Sequence, residues 1–307
     1  MSKRPQSHLL QYHVWEPKTD RIDFQWQARL LQSLWREEHG FAAGEHGGKT
    51  RGALLAMPEA QEKLTNYLTP KIREVVNNEV TDRTQSKGKL YSRPRIYNNL
   101  LSSQPLCFNL FAELRYDLGL ASTVLAEMSD GRIDKVLSID FEYSPGRSKG
   151  IYTGDRSAFD VYVRYQTPSG EKGFAGIEVK YHEGLKDAAA DHRPRYDEVA
   201  AQMGCFHSEH LIKLHNKPLQ QVWRDHLLVG AHQIVDGFQD ALFVFLYPKD
   251  NTACFDAVEQ YAQCLNNNHS FQPWTLENII QSLTRHSNKP WIQDFHYRYL
   301  DFSRLDL

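Results

Sequence analysis

Residues 154–183 read GDRSAFDVYVRYQTPSGEKGFAGIEVKYHE, and the fold turns on how this stretch is parsed. FDVYVRYQ and GFAGIEVKY are rich in β-branched and aromatic residues and are separated by the turn formers TPSGEK, which predicts two strands of one antiparallel hairpin. Paired residue numbers in such a hairpin sum to a constant. A turn centred near Ser169 and Gly170 sets Asp160 opposite Glu178, with a one-residue allowance, and such neighbours lie about 5 Å apart at Cβ. Side chains alternate along a strand, so Glu178 and Lys180 share one face while Ile177, Val179 and Tyr181 share the other. Two carboxylates and one ammonium are therefore expected at one spot beside an apolar sheet, where charge is costly unless it is paired or binds a metal.

Outward from the hairpin, VLSIDFEY (136–143) predicts a third strand, and ALFVFLYP (241–248) is a continuous apolar run of the kind covered on both faces. PLCFNLFAELRYDL (105–118) carries Cys107, Leu110, Phe111, Leu114 and Leu118 on one helical face. Residues 195–206 and 218–235 also read as helices. Towards the amino terminus, 23–39 predicts a helix stopped by Gly40. A glycine-rich segment follows, then a helical region that Pro58 opens and Pro70 interrupts. The tail holds helices around FDAVEQYAQCL and TLENIIQSL and an aromatic end, WIQDFHYRYLDF, expected to pack rather than to stack on bases. The pattern is an α/β core inside helical flanks. One large domain over 1–307 is expected, with a helical flank at 1–104, the core at 105–250 and a second helical flank at 251–307.

Composition bounds the chemistry. The 307 residues carry a net charge of −2, so a polyanion would have to be attracted by local clusters. One such cluster runs from Lys71 to Arg95, where seven positive side chains face three negative ones; it reads either as a solvated connector or as a phosphate-contacting loop. The cysteines Cys107, Cys205, Cys254 and Cys264 form no CxxC pair and fit free thiols in a reducing compartment. With neither a signal-like apolar run nor a membrane-length one, a cytoplasmic soluble protein is expected.

Two crowded carboxylates repel unless a cation or a shared proton intervenes. A hard divalent ion suits their oxygen atoms, and Lys180 adds fixed positive charge where negative charge develops during attack on phosphorus. A plain ion pair between Lys180 and one acid is the structural alternative, and it leaves the second acid unexplained. The pattern D160…E178-V-K180 resembles the signature of the PD-(D/E)XK nuclease superfamily. Phe159 stands where the motif name has proline, and a second Glu-x-Lys at Glu16-Pro17-Lys18 has no acidic strand before it. The segments NLLSSQPLCFNLF and LQQVWRDHLLVGA resemble a bacterial branch of that superfamily.

The resemblance implies a restriction-endonuclease-like mixed sheet with an αβββαβ core over about residues 105–250. It implies Asp160, Glu178 and Lys180 as catalytic residues, Glu113 as an additional acid on the preceding helix, and Gln202 as a glutamine on the following one. Asp160, Glu178 and Glu113 would hold Mg²⁺ or Mn²⁺. The expected partner is nucleic acid, DNA above RNA, with no membrane and with a homodimer left open. The expected function is metal-dependent phosphodiester hydrolysis, with restriction or phage-defence duties by analogy; the alternative is a non-catalytic nucleic-acid-binding protein on the same scaffold. Asp155 reads as a turn residue, and His182 could share the face of Lys180.

Other signals are weaker. AGEHGGKT (43–50) matches a relaxed phosphate-loop pattern, but a helix rather than a strand precedes it; Lys49 and Arg51 could instead touch a nucleic-acid backbone. His39 and His46, or His207, His210 and His215, invite a zinc reading that lacks both cysteines at finger spacing and an HExxH. No GxSxG is present.

Overall fold

The computed structural model describes residues 11–15, 17, 20, 22–185 and 189–305. Glu16 and Lys18 of the second Glu-x-Lys lie outside the described residues, as does the amino-terminal stretch 1–10. In chain order the elements begin with α1 (Asp23–Glu38), β1 (Ala43–His46), β2 (Lys49–Leu55), α2 (Glu59–Glu62), α3 (Pro70–Val76), α4 (Arg95–Asn98), α5 (Ser103–Tyr116) and α6 (Leu118–Met128). They continue with β3 (Lys135–Tyr143), β4 (Phe159–Gln166), β5 (Lys172–Val179), α7 (Pro194–Met203), α8 (Leu211–Leu214), α9 (Leu219–Asp236) and β6 (Asp240–Tyr247). Last come α10 (Thr252–Ala262), β7 (Phe271–Thr275), α11 (Leu276–His286) and α12 (Pro290–Tyr299). The chain divides into two units, Met1–Glu113 with Asn288–Leu307, and Leu114–Ser287. The expected core at 105–250 falls mostly in the second unit, which runs on to Ser287.

In the first unit the two ends of the chain meet through a fully buried Arg298. Its guanidinium donates to Asn66 O at 2.7 Å and to Gln32 Oε1 at 3.2 Å, while Gln32 Nε2 returns a 2.8 Å bond to Arg298 O. Asn109 accepts from Leu68 N and donates to Asn66 O and Tyr299 Oη. Trp291, Phe295 and Tyr299 are buried, so the aromatic tail packs as expected. The glycine-rich segment forms the hairpin β1–β2, with Gly47 and Gly48 at φ 59° and 69°. Two successive left-handed residues are what a two-residue hairpin turn requires, and they rule out a phosphate loop there. In the basic stretch, Lys71 pairs with Glu113, Lys89 with Glu79, and Arg73, Arg93 and Arg95 each bond to an oxygen within the unit. These cations are occupied in the manner of a connector.

The second unit is built on a five-stranded sheet in the order β3-β4-β5-β6-β7, the first two pairings antiparallel and the last two parallel. The helix, three strands, helix and strand expected of the core are all present, and β7 extends them. All eight residues of β6 are buried, the pattern of a parallel strand covered on both faces. One face carries a core that includes Tyr162, Phe174, Trp223, Leu227, Phe243 and Phe271. β4 and β5 pair from Gln166 opposite Lys172 to Val161 opposite Ile177, where the ladder ends one residue short of Asp160 and Glu178. Gly176 lies under the Phe159 ring, and a Cβ there would come within 2.5 Å of it. Among the elements absent from the sequence reading, β7 is short and holds Pro273, which a sheet-edge strand tolerates. α6 is capped by Asp117, whose side chain accepts from Leu120 N at 3.1 Å.

Candidate active site

The charged groups of the hairpin gather at the carboxyl end of β5. Lys180 Nζ donates to Glu178 Oε1 at 2.7 Å, and Asp160 Oδ2 accepts from Val179 N at 2.9 Å. Glu178 and Lys180 are each only 7% exposed. The backbone beyond the strand is fixed from both sides. Lys180 N donates to Leu246 O of β6, and Asn251, which caps α10, donates to Tyr181 O and Glu183 O.

Helix α9 supplies residues that the sequence reading did not assign. Gln221 Nε2 donates to Glu178 Oε1 at 2.8 Å. Asp225, one helical turn on, is 7% exposed, and its Oδ2 is buried without a hydrogen-bond partner. The spacing i, i+4 puts Gln221 and Asp225 on one helix face, and both line an open cleft of about 370 Å³ with Glu178, Arg224, Arg156 and Ser157. The glutamine that touches the site is therefore Gln221. Gln202 is exposed near the end of α7. Glu113 belongs to the first unit, where its carboxylate accepts from Thr69 Oγ1 at 2.6 Å and lies 3.7 Å from Lys71 Nζ.

Asp155 is a structural anchor beside the cleft. Its two oxygens accept from Thr153 Oγ1, Ser157 N, Tyr196 Oη and Arg224 Nε at 2.7–3.0 Å. Burial opposes its ionisation, yet the Ser157 N–H and the Arg224 charge outweigh it and lower its pKa. This network ties the loop before β4 to α7 and α9, and so holds α9 against the strands.

Asp160 and Asp225 behave in the opposite way. Burial, then the neighbouring Glu178, pushes the Asp160 carboxyl well above its ordinary range, against the pull of Lys180 and the Val179 N–H. Asp225 is raised well above its own by burial and again by Glu178, with Arg224 and Lys180 opposing. For Lys180, burial disfavours the charge, but Glu178, Glu183 and Asp160 together raise its pKa. Of the carboxylates gathered here, Glu178 is hydrogen-bonded by Lys180 and Asp155 by Arg224, while Asp160 and Asp225 have no cation in hydrogen-bond contact among the described residues. An all-oxygen donor set with a buried, unpartnered carboxylate oxygen fits a hard cation such as Mg²⁺.

Residues 18–301 match the sequence profile of the PD-(D/E)XK nuclease superfamily, and the chain belongs to that family. Its five-stranded mixed sheet between helices is the restriction-endonuclease-like fold. Members are typically nucleases that use divalent metal ions, which suggests a nucleic-acid substrate. No curated protein and no solved structure is significantly similar to the chain. Among the described residues no helix is long and apolar enough to cross a membrane.

Proposed function

Proceeding from membership of the PD-(D/E)XK nuclease superfamily, we propose that this protein is a Mg²⁺- or Mn²⁺-dependent nuclease acting on DNA. The observation that carries the reading is the excess of buried acid at the end of β5, with the Asp225 Oδ2 unpartnered. Asp160 and Glu178 would hold the metal, with Asp225 rather than Glu113 as the third acid. When bound, the ion would polarise the scissile phosphate and lower the pKa of a coordinated water. Lys180, charged and held by Glu178, supplies positive charge where a pentacovalent phosphorus gathers negative charge. Gln221 fixes the Glu178 carboxylate by its 2.8 Å hydrogen bond and so orients it towards the cleft. Arg156, Arg224 and Lys217 on the cleft lining are suited to the phosphates that flank the reacting one.

The deciding test incubates purified protein with plasmid, linear and single-stranded DNA, with and without Mg²⁺ or Mn²⁺, beside Glu178→Gln. Metal-dependent products that disappear in the variant are expected. Binding of DNA without cleavage under any metal would leave the non-catalytic reading in its place.

A further inference from the structure

A second set of metal-ligating side chains lies outside the acidic cleft. His192, in the loop before α7, places Nε2 at 2.8 Å from Asp197 Oδ2, in the first turn of α7. His215, at the end of α8, places its Nε2 at 3.3 Å from the other oxygen of the same carboxylate. The two imidazoles stack with centroids 3.9 Å apart, and one ligand atom from each of the three residues falls within 4.8 Å of the others. Trp223 of α9 backs the pair, its ring 5.2 Å from His215 and parallel to His192.

We propose that His192, Asp197 and His215 form a binding site for Zn²⁺ or a similar borderline transition metal, separate from the oxygen-only site of the cleft. Two imidazoles and one carboxylate are a set that zinc accepts, with water in the fourth position. Imidazole ligands disfavour Mg²⁺, so the two sites differ in the ion they select. Both Nε2 atoms already aim at one carboxylate. An ion would take the place of the proton each nitrogen shares with it, the stacked rings parting until both lone pairs converge. The three side chains are between 28% and 47% exposed, which leaves room for that turn. The sequence offers His215 no cysteine at finger spacing and no HExxH, and its partner His192 comes from a distant loop. That loop is also held at Ala190, whose N and O both bond to Gln220 at 2.6 Å. Ala189 and Gln220 line the cleft. Zinc would thus fasten a wall of the cleft to α7 and α8.

The test uses the full chain carrying Asp160→Asn and Glu178→Gln, which weakens the cleft acids as competing ligands. Titration with Zn²⁺ by calorimetry, and with Co²⁺ by visible absorption, should give one equivalent bound with micromolar affinity. Co²⁺ should develop the d–d bands of nitrogen ligation, and millimolar Mg²⁺ should not displace it. Adding His192→Gln or His215→Gln should weaken zinc by at least about tenfold. Absence of zinc binding in the parent, or undiminished binding in both folded histidine variants, overturns the site. Should the histidine variants fail to fold, the Co²⁺ spectrum of the parent decides, and bands without nitrogen ligation overturn it. Failure of DNA cleavage by the wild type bears on the cleft alone and leaves this outcome unaffected.

Discussion

The sheet of the second unit carries a buried charged cluster at each end, and the two are built on opposite plans. Where β6 begins, Asp240 accepts from Arg132 Nε at 2.8 Å and from Tyr165 Oη at 2.7 Å, with a second Arg132 nitrogen on its other oxygen. Arg132 also donates to Ala241 O at 2.9 Å. Burial alone would push the Asp240 carboxyl up, but the bonds from Arg132 and Tyr165 more than offset it and its pKa is lowered. At the far end, where β5 finishes, Asp160 and Asp225 are both raised and one Asp225 oxygen accepts nothing. The first cluster is closed, with both Asp240 oxygens bonded, and the second is open at Asp225, where one oxygen has no partner. A closed cluster explains itself as structure. An open one is the arrangement expected of a functional site.

The contrast is sharpest on removing one cation from each cluster. Arg132→Ala leaves a buried carboxylate uncompensated and should cost about 3–5 kcal/mol in chemical denaturation. Lys180→Ala, assayed with saturating Mg²⁺, should instead cut cleavage by about 10²-fold, near 2.7 kcal/mol of barrier, with the Mg²⁺-bound melting temperature close to wild type. Loss of stability like that of the Arg132 variant, with cleavage intact, would erase the distinction.

A neutral buried contact supplies a reference for both clusters. His226 bonds to Tyr261 Oη and Ser270 Oγ, each at 2.8 Å, and burial lowers its pKa to about 3. The unfolded chain, with a histidine pKa of about 6.5, binds more protons between those values. Stability should therefore fall as pH drops below about 6.5, by at most about 1.4 kcal/mol per pH unit from this group. His226→Gln should flatten that part of the profile, and an unchanged slope would remove His226 as its source.

The smallest effect expected is a gain. Asp225→Asn keeps the shape and removes a carboxylate that its surroundings disfavour, so in metal-free buffer at neutral pH it should be more stable by about 1 kcal/mol. Calorimetry should find its Mg²⁺ binding weakened. A lower melting temperature for a folded variant would show that the open end is not electrostatically strained.

The hairpin was legible because alternation and the turn residues fix register without help from the rest of the chain, and they bring Asp160 to the end of β5, where it bonds Val179 N beside Glu178. β6 was legible because the run from Ala241 to Tyr247 is apolar without interruption, the pattern of a strand covered on both faces. The shared face of Gln221 and Asp225 was written in the spacing of LQQVWRDHLLVGA, but nothing local told which face of α9 would turn towards the strands. That depends on the packing of Trp223 and Leu227 into the core. The resemblance points to a glutamine on the helix that follows Lys180, which is Gln202 on α7, whereas the helix that reaches the strands is α9, after α7 and α8. The hairpin β1–β2 was hidden because its paired glycines were weighed only as a phosphate loop.

The Phe159 ring of β4 lies over Gly176 of β5, occupying the volume that any side chain at 176 would need. Phe159 immediately precedes Asp160 and sits where the superfamily's motif name has proline. The two positions are therefore coupled through space, and their histories should be coupled as well. Relatives that keep an aromatic residue at 159 are expected to keep glycine at 176, and those with a smaller residue at 159 are free to vary there. Neither identity by itself would mark the family, but their joint distribution would report which chains have settled the acid-bearing strand in this way.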